Sequence, residues 1–145
     1  MLIMRAVETV ALTISKQQIV SVNFVGPRVM ARINTEYVGH EGLTDVISFC
    51  YNELDSEFDL DEEDVAIELF ISPDFAFSEA EEREDSTYGY ELALYVVHGL
   101  LHAKGYDDLT IEDAKVMRQM ESSVMGVLIK EFDFDQVFNT GNYKC

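Results

Sequence analysis

Two histidines in the second half of the chain have the spacing of metal ligands. His98 and His102 lie four residues apart in the run HGLLHAKGYDD, so on a helix their imidazoles share one face, about one turn apart. Gly105 can end that helix with a positive φ, and the chain can then return Asp108 toward the histidines. Two imidazoles and a carboxylate are accepted zinc ligands, and three protein ligands leave a fourth position for water. The spacing therefore predicts one catalytic-type zinc site per chain at His98, His102 and Asp108.

The spacing alone leaves two other interpretations open. H-x-x-x-H-x-x-G-x-x-ligand is also the metal framework of metzincin zinc proteases. Zinc peptidases carry a glutamate directly after the first histidine as general base, and this chain has Gly99 there. A metal-dependent hydrolase of another substrate, such as a peptidase, is therefore an alternative that Gly99 disfavours. A histidine pair that only packs, without metal, is the structural alternative.

The elements that must position these residues alternate between strand and helix patterns. Gly105 closes one strong helical pattern, and Thr110 with Asp113 opens the next as a variant capping box. Ser72-Pro73-Asp74 starts a helix or a turn, and residues 131–145 are expected to be a loose tail. The patterns predict strands over residues 18–25, 44–51 and 65–71, and helices over residues 3–12, 27–37, 86–105 and 110–130. The predicted fold class is α/β, layered as α+β, with a small mixed sheet, helices packed on it, and the metal site at the C-terminal end of the central helix.

Length and composition indicate one ordinary domain over residues 1–145. The chain is 48% hydrophobic, which is enough for a core. It holds no apolar run of membrane-spanning length and no apolar stretch near its start that suits a signal sequence. We therefore expect a cytoplasmic protein without a membrane partner. Cys50 and Cys145 are too far apart in sequence to form a CxxC metal pair, and two cysteines do not make a disulfide framework.

The net charge of −18 is concentrated in one stretch. Residues 53–85 contain fifteen acids and one base, Arg83. Taken alone, an acidic surface argues against a nucleic-acid substrate, because it repels phosphate. Binding depends on the local field at a site, however, and residues 52–64 are expected to form a solvated connecting loop.

Two blocks of the sequence resemble one bacterial family. HGLLHAKGYDD resembles the H-G-x-L-H-x-x-G-Y-D-H signature of the YbeY family, and INTEYVGHEGLTDVISF resembles its L-N-x-x-Y-R…T-D-V-L-S-F block. The blocks occur in the same order, and the resemblance covers about residues 18–130. It implies a zinc-dependent single-strand endoribonuclease that acts in ribosomal RNA maturation and ribosome quality control. The implied partner is ribosomal RNA or a ribosomal subunit, and the first two metal ligands are His98 and His102.

The chain departs from the family pattern at three places. Asp108 stands where the family has a third histidine ligand, Val38 stands where it has an arginine, and residues 63–64 are Glu-Asp where it has Gly-Asp. Val38 cannot pair with a phosphate. The resemblance therefore implies reduced activity, and a non-catalytic ribosome-assembly or protein-binding module on the same fold is the main rival. Asp107 matches the family's Asp after Tyr, and it is expected to position the site or to replace Asp108 as ligand.

Further polar residues are expected near the site. Thr44, Asp45 and Ser48 match the second family block and lie on a predicted strand, where they either contact substrate, support the site or only begin the strand. Glu91 and Tyr95 share the helix face of His98. The expectation is that they are a surface acid and a core aromatic residue.

Overall fold

A mixed β-sheet forms the centre of the fold, and the last strand in sequence lies in its middle. The structure is a computed structural model that describes residues 1–10, 18–40, 42–51 and 65–138. In these residues β1 (Gln18–Phe24) pairs in parallel with β3 (Val65–Ile71), and β2 (Val46–Tyr51) pairs antiparallel with β3. Together with the helices around it, this sheet confirms the predicted α/β class.

Helices pack around the sheet, and the signals predicted at Thr110 and Gly105 begin and end helices in the structure. Thr87 and Thr110 cap the two longest helices by accepting hydrogen bonds from the amides of Tyr90 and Asp113. Gly105 ends the central helix in the left-handed region at φ 110°, as its position predicts. The helices are α1 (Leu2–Val10), α2 (Pro27–Ile33), α3 (Pro73–Glu82), α4 (Tyr88–Lys104), α5 (Ile111–Glu131) and α6 (Phe134–Val137). None of the described helices is long and apolar enough to cross a membrane.

The main core lies between one face of the sheet and α4. Alternate β3 residues Ile67, Leu69 and Ile71 point to this face and are almost fully buried, and Leu100 of α4 belongs to the same apolar cluster. Helices α1, α3 and α5 pack against α4 in turn. Because α4 is enclosed in this way, its position on the sheet is fixed by packing on several sides.

A second, smaller cluster covers part of the other face of the sheet. Met30 and Ile33 of α2 are buried against Ile47, with Phe49 and Phe70 packed beside them. The two faces of β2 therefore meet different surroundings, because successive side chains of a strand point to opposite faces.

The predicted end of one helix and the predicted start of one strand differ from the structure. The helix predicted over residues 27–37 is α-helical only to Ile33 and then widens into a π-helical turn, Asn34–Val38, that ends at Gly39. The strand predicted from residue 44 begins at Val46, whose amide donates to the Asp45 carboxylate instead of to a neighbouring strand.

The prediction of a loose tail from residue 131 is wrong for its first part. Residues 134–137 form α6, and Phe134 is buried in the core. The centroid of its ring lies 6.0 Å from the ring centroid of Tyr90. Residues 11–12 of the first predicted helix, the acidic loop at 52–64 with its Glu63-Asp64 pair, and the last residues from 139, Cys145 included, lie outside the described residues.

Candidate metal centre

The three predicted metal ligands lie together at the C-terminal end of α4. The Nε2 atoms of His98 and His102 are 2.9 Å apart. The amide of Gly105 donates to the carbonyl of His102 and thereby turns the chain back at the end of the helix. The Oδ2 atom of Asp108 then lies 3.7 Å from Nε2 of His98 and 3.8 Å from Nε2 of His102. One ligand atom from each residue thus faces a common point.

The far nitrogen of each imidazole ring is held by a hydrogen bond. Nδ1 of His98 donates to Oε1 of Glu121 on α5 at 2.5 Å, and Nδ1 of His102 donates to the carbonyl of Tyr106 at 3.0 Å. With its hydrogen on Nδ1, a neutral histidine presents an unprotonated Nε2. Metal-binding histidines are commonly oriented by this kind of partner.

The donor set and its spacing fit a zinc-class ion. The Nε2 atoms of His98 and His102 are 2.9 Å apart, so they can share one proton in a hydrogen bond, and a cation bound by both nitrogens replaces that proton. Zinc–nitrogen bonds of about 2.0–2.1 Å in a tetrahedral arrangement put ligand atoms about 3.4 Å apart. The separations of 2.9, 3.7 and 3.8 Å bracket that value. Two imidazoles with a carboxylate also suit zinc and similar ions by ligand type.

The surroundings of His98 favour positive charge at the site. Burial by itself lowers the pKa of His98, but the hydrogen bond and the charge of Glu121 outweigh burial, and the charges of Asp45 and Asp108 act in the same direction. The net result is a raised pKa for His98. The acids that hold a proton on His98 in the metal-free protein also favour a bound cation, because the charge interaction is the same.

Glu121 is the site residue that the motifs do not reveal. It lies on α5, 23 residues beyond His98, and it belongs to neither family block. One signal was present: Glu121 occupies the same helical stripe as the buried residues Met117, Val124 and Leu128. An acid on an otherwise apolar stripe needs a partner, and here the partner is His98.

A hydrogen bond from Ser48 connects strand β2 to α4 next to His98. The hydroxyl of Ser48 donates to the carbonyl of Gly99 at 2.9 Å. A Cβ atom at Gly99 would lie 2.9 Å from the side chain of Leu69 and 3.0 Å from Ser48 Oγ. The position directly after the first histidine therefore faces the sheet and has no room for a glutamate, which gives a structural reason to disfavour a peptidase.

The structure shows local contacts for the remaining predicted residues. The Asp107 carboxylate accepts from the amide of Asp108 at 2.7 Å and is exposed. The Thr44 hydroxyl donates to Asp45 at 3.1 Å, and that carboxylate also accepts from the amide that follows it. Val38 ends the π-helical turn and is 42% exposed. The Asp107 carboxylate thus bonds within the loop that carries Asp108, and it is not among the three residues whose ligand atoms converge.

The expectation for Glu91 is wrong, and that for Tyr95 is confirmed. Glu91 is 2% exposed, accepts a hydrogen bond from the Ser86 hydroxyl at 2.6 Å and lies 3.8 Å from Arg83. Tyr95 is 3% exposed and packs edge-on against Phe75. A carboxylate at a buried helix position is retained when it is paired, which the spacing along the helix could not show.

Comparison with known proteins agrees with the family resemblance. The sequence model described as endoribonuclease YbeY matches residues 2–128. A protein named endoribonuclease YbeY from Thermodesulfovibrio yellowstonii is 33% identical over 111 residues, which cover 76% of this chain and 67% of that protein. Its namesake from Desulforamulus reducens is 38% identical over 103 residues, covering 70% of this chain and 67% of that protein.

A solved structure agrees with the fold. The solution structure of a Thermotoga maritima protein matches 89% of this chain and 82% of its own, with a TM-score of 0.54 at 24% sequence identity. That likeness supports the fold alone, whereas the match over residues 2–128 and the relatives at 33% and 38% identity carry the assignment. The chain belongs to the YbeY endoribonuclease family.

Proposed function

We propose that this protein is a zinc-dependent endoribonuclease that cleaves single-stranded RNA in the cytoplasm, in the maturation of ribosomal RNA and in ribosome quality control. One observation carries the proposal: ligand atoms of His98, His102 and Asp108 converge at one point in a chain whose curated relatives are named endoribonucleases. Its partner is then ribosomal RNA or a ribosomal subunit.

The proposed chemistry divides between the ion and the protein. A bound zinc ion would supply Lewis acidity for a phosphate oxygen and for water. His98, His102 and Asp108 would hold it through their converging nitrogen and oxygen atoms. Glu121 keeps the proton of His98 on Nδ1, away from the ion, and the Tyr106 carbonyl does the same for His102. No side chain is assigned as nucleophile or general base.

Two departures from the family pattern favour a less active enzyme. Asp108 adds a negative charge to the ligand set, and a less positive metal is a weaker partner for phosphate. Val38 supplies no cation, and the sequence has no arginine or lysine between Arg32 and Arg83. These same departures are the observation that favours the second candidate, a non-catalytic ribosome-assembly or protein-binding module.

Metal analysis and an RNA cleavage assay test the proposal. We expect about one zinc per chain in the purified protein, lost on His98→Ala and on Asp108→Ala but kept on Asp107→Ala, because Asp107 faces the loop amide. We expect slow, metal-dependent cleavage of unstructured RNA that His98→Ala abolishes. Absence of zinc uptake, or cleavage that persists in His98→Ala, would contradict the proposal. Zinc binding without cleavage would favour the assembly module.

A further inference from the structure

A cavity lies on the sheet face opposite α4. It has a volume of about 500 Å³ and opens between α2 with its π-helical turn and the strands β2 and β3. We name it the aromatic pocket and define it by Arg32, Glu36, Tyr37, Phe49 and Tyr51, which line it above a floor of apolar side chains. None of these five residues belongs to the metal centre.

The pocket presents one exposed ring, Tyr37, beside two partly buried rings, Phe49 and Tyr51. Phe49 contacts both tyrosines. Its ring centroid lies 5.9 Å from that of Tyr37, with the two rings edge-to-face, and 6.3 Å from that of Tyr51, with the two rings nearly parallel. Tyr37 is 70% exposed. Exposed rings around an open volume are the usual platform for stacking the unpaired bases of single-stranded nucleic acid.

The polar groups of the pocket complement a nucleotide. Arg32 is exposed and makes no ion pair with any described residue, so its guanidinium is available to a phosphate or to the face of a base. The Glu36 carboxylate and the Tyr37 hydroxyl offer hydrogen bonds to base edges, whereas the Tyr51 hydroxyl donates to Glu68 at 3.4 Å. Within the described lining Arg32 offsets the charge of Glu36, while Glu68 beside Tyr51 adds one acid to the edge of the pocket.

One strand separates the pocket from the metal centre. Ser48 points from β2 toward α4 and bonds to Gly99, the neighbour of His98, whereas Phe49 points into the aromatic pocket. In the described part of the chain β2 pairs with β3 alone, which makes β2 an edge strand. A flexible polymer can pass around such an edge and contact both faces.

We propose that the aromatic pocket binds an unpaired base of single-stranded RNA whose backbone continues around β2 to the metal centre. The inference rests on the proposed function, and it adds a base-binding subsite on the opposite face of the sheet. Stacking accepts every base, so the subsite selects unpaired over paired RNA without selecting sequence.

Binding of a fluorescent ten-nucleotide oligouridine, followed by anisotropy with zinc and after its removal by chelator, tests the inference. Losing a stacked base reduces affinity about tenfold to a hundredfold, so we expect a loss of that order for Tyr37→Ala and near wild-type affinity for Tyr37→Phe. Arg32→Ala should lower the slope of log affinity against log salt by about 0.7, the value for one phosphate contact on a single strand. Phe77→Ala removes a ring on α3 that is 54% exposed and outside the pocket, and it should change nothing.

The outcomes separate this inference from the proposed function. If zinc-loaded wild type cleaves RNA while Tyr37→Ala and Arg32→Ala bind RNA as wild type does, the subsite is refuted and the nuclease stands. If these variants lose affinity but zinc-loaded wild type does not cleave, the subsite stands and the nuclease is refuted. If the protein neither binds nor cleaves RNA, both are refuted. Thermal melting of Tyr37→Ala checks the fold, which we expect to be intact because the side chain is mostly exposed.

Discussion

Removing the Glu121 carboxylate should weaken metal binding although Glu121 is not a ligand. Its Oε1 atom lies 2.5 Å from Nδ1 of His98, and its side chain is only 17% exposed. Loss of such a partner typically costs a histidine site about 10- to 100-fold in metal affinity, which corresponds to about 1.4–2.7 kcal/mol. We expect a loss in this range for Glu121→Ala. Glu121→Gln keeps an acceptor oxygen but loses the charge, so we expect a loss below about tenfold.

Competition with a chromophoric zinc chelator measures these affinities. Glu112→Gln is the matched control, because Glu112 is an exposed glutamate on the same helix, and it should bind zinc as wild type does. Nitrogen chemical shifts of the histidine side chains give a second measurement that does not depend on activity. We expect hydrogen on Nδ1 of His98 in the metal-free wild type at neutral pH and a mixture of tautomers in Glu121→Ala.

The reasoning would be refuted by one clear result. If Glu121→Ala folds normally, binds zinc as tightly as wild type and leaves the His98 tautomer unchanged, then α5 does not orient the ligand. Melting of the metal-free variants is measured alongside, so that a general loss of stability is distinguished from a loss at the site.

Three further predictions follow from the same geometry. Gly99→Glu should destabilise the protein by more than about 3 kcal/mol, because it places a carboxylate against a buried leucine. The control Gly126→Glu should change Tm little, because no atom lies within 4 Å of a Cβ at that position. Equal Tm values for the two variants would contradict the packing at Gly99. In the metal-free protein the raised pKa of His98 means that protonation of His98 stabilises the fold. This stabilisation is full at low pH and is lost as pH rises through the raised pKa. Tm measured between about pH 6 and 8 should therefore fall more with rising pH in wild type than in Glu121→Gln, and identical Tm profiles would contradict the prediction. Val38→Arg combined with Asp108→His should increase metal-dependent RNA cleavage, because the pair restores a hydrogen-bond donor for phosphate and a neutral metal ligand. Robust cleavage by wild type that Val38→Arg does not change would show that the arginine of the family pattern is dispensable here.

The sequence determined the parts of the site that depend on local spacing. Two histidines one helical turn apart share a face by the geometry of the helix, and Gly105 ends that helix because glycine tolerates a positive φ. The turn then brings Asp108 back within a few residues. The α/β class was likewise predictable, because hydrophobic periodicity and turn residues are local signals.

Tertiary packing alone decided which distant groups complete the site. Glu121 reaches His98 because α5 packs against α4, and no local pattern encodes which helices become neighbours. Gly99 was visible as a missing glutamate, but its close contact with β3 exists only after the helix lies on the sheet. The aromatic pocket likewise needs Tyr37 from the π-helical turn and Phe49 from β2 to meet. Spacing along one element is local geometry, whereas contacts between elements depend on how the whole core packs.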